Sequence, residues 1–416
     1  MTDTTLLATP ALDDEVTWFM TSGHERRGPI RRDPFPFYDR LRAVDPVHRS
    51  VKGPWLLTSY EVCNAMLRDD RWTKGRILTD DSDGALAERV FLGSLVFRDP
   101  PDHTRLRRIV APLFTVSAIN KRRARTRAIA ATLLNGLSRR DGFDFRREFA
   151  SELPVRLICE FIGIPPDWRE EFLMWAETVR ELQELSGRSG DDLRHADDKA
   201  QACLDFFGVM AAEKRKRPGD DIVSMLLAAA DADEQPLTHE EFTAMLIILH
   251  VGGHSTTTDV IATGLFHLLR NPDAERMLRR DPGLVPSAVE EMLRYDTAVT
   301  VATPRVAAEE MTLGGRLIPA GEKVYAVLGA ANRDPAQFAD PHRFDIGRTE
   351  NRHLSFAAGA HFCLGAHLGR QEAQEAFNLL FTEYPALEPA GDLDSLEWQD
   401  SFPHRGLVSL PVAWRR

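Results

Sequence analysis

The chain has 416 residues, 43% hydrophobic and 28% charged, with 52 basic against 63 acidic side chains and a formal net charge of −11. That is the balance of a soluble globular protein: no run approaches the roughly 20 apolar residues of a membrane span, and the acidic excess repels nucleic acid. Cys63, Cys159, Cys203 and Cys363 lie too far apart for zinc-finger pairing or a disulfide scaffold, and the first thirty residues fit neither a signal peptide nor an anchor, so a cytoplasmic protein is expected.

Residues 1–30 read as a loosely ordered lead-in, and 31–416 as a single domain, because no repeat, low-complexity tract or Pro/Gly/Ser linker divides them. Pro36 to Val44 predicts a short helix. The run from Val47 to Thr58 predicts a hairpin turning at Lys52-Gly53-Pro54, and Thr58 or Ser59 caps a helix through Arg68. Trp72 to Phe97 lacks steady periodicity and reads as a mobile loop holding a short helix. From Pro101 to Arg215 helical patterns dominate, with breaks expected at Leu153-Pro154 and Gly163 to Pro166. Asp167 to Lys216 reads as two helices joined near Ser186 to Asp191. Strand-like sequence returns at Met311 to Val327 and Leu407 to Val412, so the fold class is mainly α, an α+β pattern with helix in excess.

Thr238 and Glu241 form a T-x-x-E capping box, and the apolar pattern behind it runs to about Leu269, where Asn271-Pro272 stops it. Inside this long helix stands Gly252-Gly253-His254-Ser255-Thr256-Thr257-Thr258, and each glycine weakens a helix by about 1 kcal/mol. Close packing against another helix would compensate; so would a local widening that opens a groove for a ligand. Glu291 and Arg294 lie three apart on one helix face, which alone is an ordinary surface pair. Arg343, in the irregular segment Asp340 to Asp345, is a candidate partner for Glu291. His103 and Arg107 sit four apart after Pro100-Pro101-Asp102 and are placed to hold a carboxylate or to form a solvated face.

The stretch Phe356 to Gly369, F-A-A-G-A-H-F-C-L-G-A-H-L-G, sets Cys363 between Gly359 and Gly365. Glycines allow a tight loop to bring its backbone close to a flat ligand, which suits a single thiolate bound to haem iron; a buried structural cysteine is the alternative.

Together these pieces resemble a soluble bacterial cytochrome P-450, over about residues 34 to 414 and with the motifs in the family's order. F-A-A-G-A-H-F-C-L-G is similar to the family's cysteine loop, E-M-L-R to its E-x-x-R, D-P-H-R-F to its meander arginine, D-H-T-R-L-R to its propionate-binding helix, and V-G-G-H-S-T-T to the oxygen-binding bend. The resemblance implies a helix-rich prism with small sheets and haem between the long helix and the helix after the cysteine loop. It implies Cys363 as proximal thiolate, with Phe356, Gly359 and Gly365 shaping its loop, and His103, Arg107, Arg305 and His361 on the propionates. Glu291, Arg294 and Arg343 would form a buried network, and Gly252, Gly253, Ser255 and Thr256 the distal bend. Val96, Ile248, Val251, Val299, Val301, Ala302 and Phe402 would line a cavity for a largely apolar small molecule.

The implied reaction is hydroxylation on haem b, with O2 and electrons from NAD(P)H through ferredoxin reductase and a ferredoxin docked by Arg105, Arg108, Arg348 and Arg352. Two departures stand out. Ala357 replaces a usual glycine, and Ser255 replaces the usual acid before the helix threonine, a group that delivers protons. Serine exchanges hydrogen bonds but is no carboxylic acid. A less usual oxidation (radical coupling, desaturation, C–C cleavage) or a haem protein that binds ligand without turnover therefore stays open.

Overall fold

The computed structural model describes residues 10–21, 23, 25–74, 86, 93–174, 190–232 and 237–415. In chain order the helices are α1 (Pro10–Met20), α2 (Gly28–Arg32), α3 (Phe35–Val44), α4 (Tyr60–Arg68), α5 (Asp102–Val110), α6 (Val116–Leu137), α7 (Glu152–Ile162), α8 (Gly190–Lys216), α9 (Ile222–Ala232), α10 (His239–Arg270), α11 (Pro272–Arg280), α12 (Val285–Tyr295), α13 (Leu328–Ala331) and α14 (Ala366–Glu383). The strands are β1 (Val47–Arg49), β2 (Trp55–Leu57), β3 (Trp72–Thr73), β4 (Gly142–Asp144), β5 (Arg305–Ala307), β6 (Met311–Leu313), β7 (Arg316–Ile318), β8 (Lys323–Ala326), β9 (Leu387–Pro389) and β10 (Pro411–Trp414). The mainly α class with small sheets is as expected.

The chain divides into two compact units. One comprises 1–73, 123–153 and 256–416, and the other 74–122 and 154–255. All three sheets belong to the first: a five-stranded sheet in the order β1-β2-β8-β5-β3, a three-stranded sheet β4-β10-β9, and the β6-β7 hairpin. The β1-β2 hairpin turns where predicted, with Gly53 at φ 105. β8 runs parallel to β2, aligning Trp55 with Val324 and Leu57 with Ala326. β3, β4, β5 and β9 were not expected, and at two or three residues each they are too short to carry a period-2 pattern.

The supposed lead-in holds α1 and α2 within the described residues, because α1 buries Leu12, Val16 and Phe19 in a cluster with Phe37, Tyr38, Leu41 and Val301. At α4 Ser59 is the N-cap but its side chain makes no capping bond; the Tyr60 N–H donates instead to Asp334 Oδ2 at 2.8 Å. Leu153-Pro154 does not break a helix. It falls in the first turn of α7, where an N–H has no intrahelical partner to lose. The break at Gly163 holds, with φ 95 and its N–H closing on Cys159 O. Most of the loop expected between Trp72 and Phe97, and the helix junction near Ser186, lie outside the described residues, though α8 already begins at Gly190.

Candidate active site

The cysteine loop, in the first unit, is closed by its own backbone. The Cys363 N–H donates to Phe356 O at 2.9 Å and the Phe362 N–H to Gly359 O at 3.0 Å, which draws Phe356 and Cys363 together across the turn. Gly359 has φ 71, and a Cβ there would lie 2.2 Å from Leu67 O, so the loop rests directly on the C-terminal end of α4. Ala357 adopts φ 56, a left-handed conformation that explains why glycine is usual at that place. Cys63, Cys159 and Cys203 are buried and Cys363 is exposed. Burial pushes the Cys63 thiol up and the Cys203 thiol up to about 12, so neither forms a thiolate readily.

α12 anchors this loop through two adjacent carboxylates. Glu291 and Arg294 are both fully buried and meet in a bidentate pair, 2.8 Å on each arm. Nη1 of Arg294 donates to Asn332 O and Pro341 O, each at 2.9 Å, and Nη2, already on Glu291, also reaches Arg343 O at 3.2 Å. Arg343 itself is a correction: its side chain is 69% exposed and reaches only Asp345 at 3.8 Å. The second guanidinium on Glu291 is Arg348, at 3.2 Å and 10% exposed, with Asn351 Nδ2 also at 3.2 Å. Five residues further along the same segment, Arg348 has the reach because the intervening turn carries Arg343 outward. Glu290 holds Arg370 of α14 at 2.6 and 2.8 Å and His353 at 3.2 Å, and Arg370 lies 4.3 Å above the Phe356 ring. Burial pushes the Glu290 carboxyl up, but hydrogen bonds from His353 and Arg370 outweigh it and hold it at about 2. Sequence reasoning missed Glu290, His353, Arg348 and Arg370; the doubled Glu-Glu before M-L-R was the available signal.

In the same unit Arg305 is buried on β5, with Nη1 3.0 Å from Trp72 O. His361 ends the short helical turn from Gly359 and is half-buried. Ala302 shares a core cluster with Leu354 and Ala358 at the root of the cysteine loop, and Val299 packs against it. Val301 is again a correction. It is 1% exposed and packs in a second core cluster with Phe19, Phe37 and Tyr38. Phe402 packs edge-on against Phe19 and Tyr325 at 5.2 and 5.4 Å.

α10 is continuous, with its capping box formed as read: the Glu241 N–H donates to Thr238 Oγ1 and the Thr238 N–H to Glu241 Oε2, each at 3.1 Å. Residues 252–258 are regular α-helix, with no local widening. The two glycines answer differently. A Cβ on Gly253 would come within 3.0 Å of Ile158 on α7, so this one is a packing glycine, whereas among the described residues nothing lies within 4 Å of a Cβ on Gly252. Ile248, Val251, Gly252, Ser255 and Thr256 form a half-buried to exposed stripe at helical spacing, on a helix whose residues 242–247 and 257–268 are buried. Ser255 Oγ donates back to Val251 O at 3.2 Å.

In the second unit His103 is buried on α5, Arg107 is half-buried a turn later, and Val96 is half-buried. Arg105 is drawn into an ion pair with Glu241, so it and Arg348 are internal partners rather than docking groups; Arg108 and Arg352 are exposed. His250 is 1% exposed with neither ring nitrogen hydrogen-bonded, edge-on to Phe172 at 4.5 Å and 5.5 Å from His254. Burial, with His254 second, pushes it down to about 3.

The family model for cytochrome P-450 matches residues 172–282 and 283–402. The vitamin D(3) 25-hydroxylase of Pseudonocardia autotrophica is 38% identical over 403 residues, covering 94% of this chain and 97% of its own. The cytochrome P-450 monooxygenase PikC of Streptomyces venezuelae is 38% identical over 396 residues, 92% of each chain. Among solved structures, BioI, a cytochrome P-450 in complex with a hexadec-9Z-enoic acid ligated acyl carrier protein, superposes with a TM-score of 0.87 at 34% identity, covering 94% of this chain and 100% of its own. The chain belongs to the cytochrome P-450 family. It is a haem-dependent monooxygenase of that family, using a cysteine-thiolate haem, O2 and electrons from redox partners on a small-molecule substrate. No described helix is long and apolar enough to cross a membrane.

Proposed function

We propose that the enzyme hydroxylates a moderately large, largely apolar small molecule, with Cys363 as the haem thiolate. The stripe on α10 carries this reading: Ile248, Val251 and Gly252 offer apolar, open surface, and Ser255 and Thr256 end it with two hydroxyls. Haem, when bound, supplies the oxygen-activating chemistry. The residues suit that group, with one exposed thiol in a glycine-flanked loop and buried imidazole and guanidinium donors in His103 and Arg305. Arg107 and His361 would join these two in meeting the propionates. Thr256 would hold and pass a proton on the distal side. Val96, Ile248, Val251, Val299, Ala302 and Phe402 would bound the substrate and exclude water.

A ferredoxin and its NAD(P)H-dependent reductase in the cytoplasm would supply electrons, with Arg108 and Arg352 exposed to meet an acidic surface. Relatives named as a vitamin D(3) 25-hydroxylase and a mycinamicin IV hydroxylase/epoxidase support a role in natural-product metabolism. The test is a reduced, carbon-monoxide-bound spectrum of the wild type and of Cys363→Ser, followed by a spin-state screen of macrolactones, secosteroids and fatty acids. Turnover of each hit with ferredoxin, reductase and NADPH then follows. A wild-type spectrum without thiolate character, or hits that never gain an oxygen atom, would sink the proposal. Ser255, with its hydroxyl bonded to Val251 O, favours a second reading: coupling or desaturation, seen as products that lack the added oxygen, or C–C cleavage, seen as two shorter fragments.

A further inference from the structure

Phe402 stands in the loop from Gln399 to Arg405, and the two halves of that loop are held by different parts of the chain. After Phe402 the hold is backbone to backbone: the Thr300 N–H donates to Pro403 O at 2.9 Å, the Arg405 N–H donates to Ala298 O at 2.8 Å, and Val299 forms a bridge with His404. Before Phe402 the hold comes from the N-terminal segment. Arg27 Nη1 donates to Asp400 Oδ1 at 2.7 Å and Nη2 to Ser401 O at 2.5 Å, while the Gly23 N–H donates to Asp400 Oδ2 at 2.7 Å. Arg405 returns the grip, with Nη1 2.5 Å from Arg31 O and Nη2 3.0 Å from Arg32 O.

Arg27 is 3% exposed. An exposed ion pair contributes little, whereas a buried guanidinium is costly unless its donors are met, so this one fixes its acceptors in place. Those acceptors belong to the two residues just before Phe402. The Phe402 ring itself stands edge-on to Phe19 of α1 at 5.2 Å and to Tyr325 of β8 at 5.4 Å, packed against the cluster that holds Leu12, Val16, Tyr38 and Val301. It is half-buried, so these neighbours leave part of it uncovered. The ring is thus held on both sides of its Cα, by Arg27 and by residues 298–301, and backed by Phe19, which leaves it little freedom to retreat.

We propose that Arg27 and Phe19 are positioning residues for substrate selection: they set how far the Phe402 ring advances into the cavity, and so which bulky apolar molecules it admits. Neither touches the substrate; both act through Phe402. The segment that reads in the sequence as a loosely ordered lead-in is thereby a support for one wall of the substrate site. This role rests on the reading of Phe402 as a lining residue above.

The experiment follows the Soret shift that a nitrogen ligand produces on the haem, and so measures the binding of imidazole and of econazole to holoenzyme. The proteins are the wild type, Arg27→Met, Arg27→Lys, Phe402→Ala and the double variant Arg27→Met with Phe402→Ala. Imidazole is too small to reach a wall of the cavity, and econazole is large enough to press on one. Arg27→Met should weaken econazole about tenfold, the upper end of what one aromatic contact contributes, and leave imidazole unchanged. Arg27→Lys should recover part of the loss, since an ammonium still reaches Asp400. Phe402→Ala alone should also weaken econazole, and in that background Arg27→Met should add nothing, because the two act as a unit. Phe19→Leu, which keeps most of the buried volume, carries the same comparison if Arg27→Met loses haem. Equal effects on imidazole and econazole, or a full Arg27→Met effect in the Phe402→Ala background, overturn the proposal. A Phe402→Ala variant that binds econazole as the wild type does overturns the reading of Phe402 as a lining residue, and the proposal with it.

Discussion

Arg343 and Arg348 offer a sharp contrast five residues apart. Arg348 is 10% exposed and places Nε 3.2 Å from Glu291 Oε2, Nη1 2.8 Å from Ala339 O, and Nη2 3.3 Å from Asp340 O. Arg348→Ala removes a charge-assisted bond worth roughly 1.5–3 kcal/mol and strands two carbonyls, while Arg294 still neutralises Glu291, so the cost should settle near 3 kcal/mol, at the lower edge of breaking a buried pair. Arg343 is 69% exposed and 3.8 Å from Asp345, and Arg343→Ala should cost under about 0.5 kcal/mol because the backbone O that binds Arg294 survives the substitution. Urea unfolding, followed by circular dichroism and by loss of the haem Soret band, reads both variants on one scale. Equal costs, or a larger cost at Arg343, would refute the assignment of Arg348 as the second guanidinium on Glu291.

Gly359→Ala should abolish stable holoenzyme, seen as loss of the Soret band in purified protein, because its Cβ would meet backbone at Leu67 O at 2.2 Å with φ at 71. Thr238→Ala should cost about 1 kcal/mol in urea unfolding by removing the bond to the Glu241 N–H. His250→Leu should stabilise the protein by about 1 kcal/mol at pH 7, since both ring nitrogens are buried without partners. The same variant should be less acid-sensitive. With the folded-state value near 3 and the unfolded value at 6.5, the unfolded chain takes the proton first as pH falls. The wild type should therefore lose about 1.4 kcal/mol more than His250→Leu between pH 7.5 and 5.5, with the loss continuing toward pH 3. A parallel pH dependence of the two would count against a neutral, buried imidazole.

Signals that are local were legible in the sequence, and those that depend on where chain segments meet were not. The capping box at Thr238 and Glu241, the hairpin at Gly53 and the cysteine loop are each specified within a few residues, and each formed as read. The partner of Glu291 lies more than fifty residues away, and choosing between Arg343 and Arg348 depends on how the turn at Asp340, with φ 46, aims the two side chains. Val301 looked equivalent to Val299 and Ala302 in composition; only the folded chain, which packs it with Phe19 and Tyr38, separates it from them. Gly252 and Gly253 were likewise indistinguishable until Ile158 was placed against the second of them.

The doubled carboxylate of α12 shows why an E-x-x-R pair recovers meaning only in its surroundings. Successive helix positions are rotated by about 100°, so Glu290 and Glu291 face different neighbours. Glu291 gathers the irregular segment through Arg348, Asn351 and the Asp345 N–H, and Glu290 grips Arg370 of α14 and His353. Arg370 in turn covers Phe356, whose carbonyl receives the Cys363 N–H. One helix thus fixes both ends of the cysteine loop, the incoming segment at His353 and the outgoing helix at Arg370. Every group in that chain is charged or hydrogen-bonded at low exposure, where a missing partner costs far more than it would at the surface. The sulfur is positioned by this frame together with the glycine-rich loop that carries it.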